Sequence, residues 1–112
     1  MRFAKYEGAG NDFILLDLRN GGATPQSAEI ARLCDRHFGI GADGVILVRP
    51  ATSEEGDGYM HYINADGTLA QMCGNGVRCV AEWLYTHGVE KPVLTIDTNS
   101  RAGDINSEFD MA

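Results

Sequence analysis

The chain has 112 residues, 44% of them hydrophobic, and a formal net charge of -7 at pH 7. That length makes one domain able to bury roughly two-thirds of its unfolded surface, and the apolar share is ordinary for a globular core. The acidic balance argues against nucleic acid, which needs a basic face, and gives no polybasic attraction to an anionic membrane.

Residues 2–6 alternate as a half-buried strand does, and Met1-Arg2-Phe3-Ala4-Lys5 opens that strand rather than a signal peptide. No apolar run approaches the ~20 residues of a spanning helix, so the expected location is the cytoplasm. Gly8-Ala9-Gly10-Asn11-Asp12 reads as a loop feeding a second strand over 13–18. Its Gly-x-Gly lacks the third glycine and following helix of a dinucleotide fingerprint, which leaves a turn between paired strands. Arg19-Asn20-Gly21-Gly22 is a further turn. Thr24-Pro25 has the form of an N-cap with proline at the first helical position. It opens a helix over 26–37 with Ala28, Ile30, Ala31, Leu33 and Cys34 on the apolar side. Cys34 then belongs to the core, and His37 reads as a terminal hydrogen-bonder beside the negative end of the helix. No Cys, His and carboxylate set has zinc spacing, so no metal is expected.

Gly39-Ile40-Gly41-Ala42-Asp43-Gly44 is a tight loop into a strand over 45–48. Three glycines could cradle a phosphate, but no Lys-Ser/Thr follows as a P-loop demands. Close backbone packing is the better reason for them. Asp43, and later Asp66, read as turn-capping residues in preference to general bases. Residues 50–58 form a solvated hairpin loop, and 59–63 alternate as a strand with aromatic and β-branched residues. Asn64-Ala65-Asp66-Gly67 holds the turn formers, and 69–72 can return as a short strand that ends at Cys73. Val77, Val80, Ala81 and Leu84 then mark a helix, with Trp83 and Cys79 widening its stripe so that it is buried on most sides. Gly88 stops it. A strand over 92–98, a turn over 99–103 and a weak strand over 104–111 complete the chain. There is no internal repeat and no domain boundary.

The chemistry centres on Cys73. The first turn of a helix has unpaired N–H groups and a partial positive charge, which favours a thiolate and attracts anions. A free thiol of pKa about 8.5 can fall by several units in such a place. Gly74 and Gly76 remove side-chain bulk, so a ligand carboxylate could approach those N–H groups directly. Asn75 adds a neutral donor and acceptor. Three cysteines, an odd number with no secretion signal, suit reduced thiols. If Cys73 and Cys79 were both helical, about 9 Å of rise would exceed disulfide reach.

Met72-Cys73-Gly74-Asn75-Gly76-Val77-Arg78-Cys79 resembles the signature of the diaminopimelate epimerase family. Gly8-Ala9-Gly10-Asn11-Asp12-Phe13, Asp35-Arg36-His37-Phe38-Gly39-Ile40-Gly41-Ala42-Asp43-Gly44 and Asn64-Ala65-Asp66-Gly67 agree with it in order and spacing. The resemblance implies an α+β fold, a strand-rich, barrel-like half-domain wrapped around a central helix. It also implies that residues 1–112 are the amino-terminal half of a two-domain enzyme whose second domain, with a second catalytic cysteine, is absent from this chain. The activity implied is cofactor-independent epimerisation of LL- and meso-diaminopimelate by a thiolate and a thiol on opposite faces of the α-carbon, in lysine and cell-wall precursor synthesis. Cys73 is one of the two catalytic groups by this resemblance, and Asn11, Asn64, Gly74 and Asn75 hold the amino-acid substrate. Two alternatives stay open. One is a related racemase or epimerase acting on another amino acid or imino acid; the other is a non-catalytic amino-terminal fragment. The exposed strand edges of an isolated half would favour a homodimer.

Overall fold

The computed structural model describes residues 3–8, 10–69, 74–100 and 103–111. Among the described residues, six strands and two helices follow in the order β1 (Ala4–Gly8), β2 (Asn11–Asp17), α1 (Ser27–Cys34), β3 (Gly44–Arg49), β4 (Gly58–Asn64), α2 (Gly74–Thr86), β5 (Val93–Ser100) and β6 (Gly103–Asp110). The strands form one sheet in chain order. Pairing alternates: β1–β2, β3–β4 and β5–β6 are antiparallel, while β2–β3 and β4–β5 are parallel. Parallel neighbours need a crossover, and α1 and α2 supply the two.

The central strands explain themselves chemically. Phe13, Ile14, Leu15 and Leu16 in β2, and Val45, Ile46, Leu47 and Val48 in β3, are unbroken apolar runs buried on both faces, as strands covered on two sides must be. Phe13, Leu15, Ile46, Val48, Met60 and Tyr62 face α2 together with Leu94 and Ile96. Ile14, Leu16, Val45, Leu47 and Ile63 face the other way, against Ile30 and Cys34 of α1.

α2 lies in a concave sheet. The helix touches β1 and β6, the two outer strands, as well as β2, β4 and β5. Six flat strands would span about 24 Å, whereas a helix with its side chains is about 10 Å across. Contact with both outer strands therefore requires the sheet to curl. Gly76, Val77, Cys79, Val80, Ala81, Trp83 and Leu84 are buried, while Gly74, Arg78 and Tyr85 keep one narrow stripe in solvent. Burial of each large apolar side chain contributes about 1.5–3 kcal/mol. Truncating Leu84, fully buried at the centre of this packing, would cost about 2–5 kcal/mol. The expected barrel-like half wrapped around a helix is what the chain forms.

Several local expectations need correction. Asn11 and Asp12 are strand residues, not loop, because β1 and β2 stay paired to Gly8 and Asn11. α1 ends at Cys34 rather than at 37. Asp35 turns extended at the C-cap, and its carboxylate accepts from the N–H groups of His37 and Phe38 at 2.7 and 3.0 Å, which competes with continued helix. The chain then folds back so closely that a Cβ on Gly39 would stand 1.9 Å from the Arg32 carbonyl oxygen. Thr24 is not the N-cap: Gln26 occupies that position without a side-chain cap, and the Thr24 hydroxyl accepts from Arg49 instead. Of the strand expected over 69–72, Leu69 forms an isolated bridge to Ile63, and 70–72 lie outside the described residues. The hairpin loop after β3 is held at its base by Asp97 of β5, which is 2% exposed and accepts from the N–H groups of Thr52 and Ser53, each at 2.9 Å.

Candidate active site

Topology gathers four segments at one end of the sheet. β2 and β3 run parallel, so Asn11, which opens β2, and Asp43, just before β3, lie at the same end. β4 runs antiparallel to β3, with Asn64 opposite Gly44, so β4 finishes there too. α2 is the crossover from β4 to β5 and must run back along the sheet, which places Gly74 and Asn75 at that end as well.

Of the residues expected to hold substrate, Asn11 and Asn75 meet directly. Asn75 Nδ2 donates to Asn11 Oδ1 at 3.2 Å, joining positions 64 residues apart. Asn64 is engaged nearby in its own turn. Its N–H donates to the Thr68 carbonyl at 2.8 Å and its Nδ2 to Thr68 Oγ1 at 3.1 Å. Asp66 accepts from the Thr68 N–H at 2.9 Å and from its hydroxyl at 2.6 Å, so the turn-capping reading of Asp66 is correct. Gly74 is exposed, and a Cβ built on it meets no atom within 4 Å. Nothing in the packing of the described residues requires glycine there. Cys73, the expected catalytic residue, lies outside the described residues; it immediately precedes Gly74, the first residue of α2.

A polar cluster adjoins the two amides. Asp12 and Asp43 grip one another reciprocally: the Asp12 N–H donates to Asp43 Oδ2 at 2.9 Å, and the Asp43 N–H donates to Asp12 Oδ1 at 3.2 Å. Arg36 sends Nη1 and Nη2 to the two oxygens of Asp12 at 3.1 and 2.9 Å, and Nη2 also reaches Asp43 Oδ1 at 3.3 Å. Lys5 adds a contact to Asp12 at 3.5 Å. The Arg36 hydrogen bonds, with smaller help from Asp43 and Lys5, hold the Asp12 carboxyl far below the ordinary carboxylate range against the opposing cost of burial. Arg36 in turn is held more firmly protonated, chiefly by its bonds to Asp12. Glu7, Gly10, Asn11, Asp12, Arg36 and Asp43 line a depression of about 300 Å³ at this point.

Sequence reading missed Arg36 and Asp12 as partners, since nothing in a 24-residue separation signals a bidentate pair. It weighed Asp43 as a turn cap; the residue is instead a cross-link between β2 and the loop before β3. The other two cysteines behave as expected. Cys34 and Cys79 are 5% and 2% exposed, and burial pushes the Cys34 thiol up, away from reactivity. His37 lies beyond the end of α1, exposed, with its ring tilted against Phe38. Among the described residues, no group of three or more His, Cys, Asp or Glu is placed to hold a metal ion, and no helix is long and apolar enough to cross a membrane.

The diaminopimelate epimerase family model matches residues 3–111. A diaminopimelate epimerase from Xanthomonas campestris pv. campestris is 48% identical over 99 residues, covering 88% of this chain and 35% of that protein. One from Gloeothece citriformis is 54% identical over 85 residues, covering 75% of this chain and 30% of that protein. The chain thus spans about a third of the length of the curated relatives it matches. Among solved structures, a methylitaconate-delta-isomerase superposes with a TM-score of 0.71 at 15% identity, over 98% of this chain and 34% of that one. A probable proline racemase from Agrobacterium radiobacter K84 does so at 0.65 and 15%, over 98% and 37%. At such identity these two speak for the fold alone. A family match across nearly the whole sequence, with relatives about half identical, places it firmly: the chain belongs to the diaminopimelate epimerase family.

Proposed function

We propose that the chain supplies one side of the catalytic cleft of a cofactor-independent epimerase that interconverts LL- and meso-diaminopimelate. The observation that carries this reading is the Asn11–Asn75 pair at the start of α2, where Cys73 precedes a glycine whose space is open. An amino acid set there presents its carboxylate to N–H groups that have no helical partner and lie at the positive end of the helix dipole. As the α-proton leaves, negative charge builds on that carboxylate, and fixed donors hold it more tightly than they hold the ground state. Cys73 as thiolate takes the proton and becomes the thiol. The electron pair of the broken C–H bond spreads into the carboxylate, and a second thiol on the opposite face returns a proton to the carbon. Asn11, Asn64, Gly74 and Asn75 hold the amino-acid end. The product serves lysine and cell-wall precursor synthesis in the cytoplasm.

Inversion needs two groups on opposite faces, and Cys34 and Cys79 are both committed to the core. The 112-residue chain alone is therefore inactive in this reading, and its outer strands β1 and β6 favour a homodimer. The test joins the chain to the carboxy-terminal half of the X. campestris relative. Deuterium from heavy water should appear at the α-carbon of LL- and meso-diaminopimelate with the joined protein and not with the chain alone. Incorporation into proline or another amino acid in preference to diaminopimelate would favour a different racemase. No incorporation into any of them would sink the proposal.

A further inference from the structure

We propose that Asp43 is a positioning residue that fixes which way round the Asn11 and Asn75 amides face. The inference rests on the reading of these two asparagines as substrate contacts. An asparagine amide has a donor end and an acceptor end of nearly equal shape, so two paired amides can face either way unless something breaks the symmetry. Asp43 breaks it. A carboxylate only accepts, and Asp43 Oδ2 faces Asn11 Nδ2 at 3.5 Å. That contact is long, but the reverse orientation would set the Asn11 carbonyl oxygen against an anionic oxygen. With the Asn11 amino group committed to Asp43, its Oδ1 faces Asn75 and only a donor can meet it there. Asn75 therefore turns Nδ2 inward, at 3.2 Å, and its own carbonyl oxygen becomes the atom offered to a ligand.

Asp43 is well fixed for this task. Its Oδ2 also accepts the Asp12 N–H at 2.9 Å, and Arg36 Nη2 donates to its Oδ1. Its backbone N–H donates to the Asp12 carbonyl at 3.0 Å, and its carbonyl accepts from Ala65 at 3.2 Å, in the turn that carries Asn64. One residue thus ties together the strand of Asn11, the turn of Asn64 and, through Asn11, the helix start of Asn75. Asp43→Asn keeps the shape but replaces one oxygen with an amino group. If that group faces Asp12 and Asn11, donors oppose donors; if it faces Arg36, a donor opposes a cation.

The test reads the side-chain amides of the 15N-labelled 112-residue chain by NMR. Asp43→Asn should move the resonances of both Asn11 and Asn75, although among the described residues no hydrogen bond joins Asp43 to Asn75 directly, while Asn64, bonded to Thr68, stays in place. In the enzyme joined to the relative's carboxy-terminal half, Asp43→Asn should raise KM about tenfold and change kcat less than about threefold, the pattern of lost substrate positioning; Asp43→Glu should restore part of the KM. Asn75 amide resonances that stay in place in Asp43→Asn would overturn the proposal. So would an unchanged KM in Asp43→Asn beside a raised KM in Asn11→Ala. If Asn11→Ala itself leaves KM unchanged, the reading of Asn11 as a substrate contact fails instead, and the amide shifts alone decide whether Asp43 holds the pair.

Discussion

Gly44 and Gly74 stand at the same end of the sheet, and the same substitution at each should have opposite consequences. A Cβ on Gly44 would lie 2.4 Å from Tyr62 Cε1 and 2.7 Å from the Ile63 carbonyl oxygen, far inside contact distance for carbon. Gly44 is the gap in β3 over which Phe13 of β2 and Tyr62 of β4 meet edge to face, with ring centroids 5.4 Å apart and planes at 84°. Gly44→Ala must push the Tyr62 ring aside. That adds an overpacking cost of about 1–3 kcal/mol to the loss of an aromatic pair worth about 0.5–1.5 kcal/mol. The sum, about 1.5–4.5 kcal/mol, corresponds to a fall in Tm of roughly 6–18 °C at about 4 °C per kcal/mol for a domain of this size. At Gly74 the added carbon meets nothing within 4 Å, so Gly74→Ala should shift stability by no more than about 0.5 kcal/mol. Its effect should appear in the joined enzyme as a higher KM and lower kcat, more strongly for Gly74→Val, because the side chain fills the approach to the helix N–H groups. Thermal denaturation of the 112-residue chain and steady-state kinetics of the joined protein measure the two effects separately. A Gly44→Ala chain within 2 °C of the unmodified protein would refute the packing argument. A Gly74→Val enzyme with ordinary kinetics would show that open space at the helix start serves no ligand.

In the joined enzyme, Cys73→Ala should abolish epimerisation, whereas Cys34→Ala and Cys79→Ala should cost about 1 kcal/mol of stability and leave turnover near normal; denaturant titration beside the deuterium assay separates these outcomes. His61, half-buried in β4, accepts from Arg49 Nε at 3.3 Å, and burial followed by the Arg49 charge holds its pKa below the ordinary histidine value. Because the folded value is depressed, the unfolded chain binds the proton first, and stability present above about pH 6.5 is lost as the pH falls; His61→Gln should flatten the stability profile between pH 7 and 5, and an unchanged slope would count against the shift. Asp97→Ala should destabilise the chain by about 1.5–3 kcal/mol, since it removes the buried carboxylate that accepts from the N–H groups of Thr52 and Ser53, and should free the 50–57 loop to faster amide exchange.

Much of this fold can be read locally, and its limits follow from range. The apolar runs at 13–16 and 45–48 announce strands buried on both faces, and the spacing of Val77, Val80, Ala81 and Leu84 announces α2, because periodicity is a property of neighbours. Which strands pair is not local: β2 lies beside β3 only because α1 carries the chain across. The end of α1 escaped notice for a subtler reason. Arg36, His37 and Phe38 tolerate helix, and only the Asp35 carboxylate and the close approach of Gly39 to Arg32 exclude it. At the site, motif resemblance identified Asn11 and Asn75 and the structure brings them together. Their orientation depends on Asp43 and Arg36, and spacing carries no trace of contacts made 31 and 24 residues apart.

The two ends of the sheet are built from different interactions, and the difference bears on function. At the end opposite the asparagines, polar groups are closed upon one another. Asp97 is saturated by the hairpin loop, Asp57 accepts from Lys91 and from the Thr95 N–H, and the His87 ring stacks on Trp83 at 4.1 Å, with Arg19 over the same indole at 4.7 Å. Arg19 is itself paired with both oxygens of Asp17. Under the proposed function nothing has to enter this end, so it can be firm. At the asparagine end the bonds run sideways from one element to the next, Arg36 to Asp43 to Asn11 to Asn75, and α2 starts on Gly74, where an added Cβ meets none of the described residues within 4 Å. A chain of bonds of this kind holds the amides still without using up their capacity to bond a ligand. Rigidity is thus supplied from behind the amides, by the curled sheet and by Asp43, so that the Asn75 carbonyl oxygen is held in place before a ligand arrives, while in the proposed reaction the donors for the developing charge are the N–H groups of the first turn of α2.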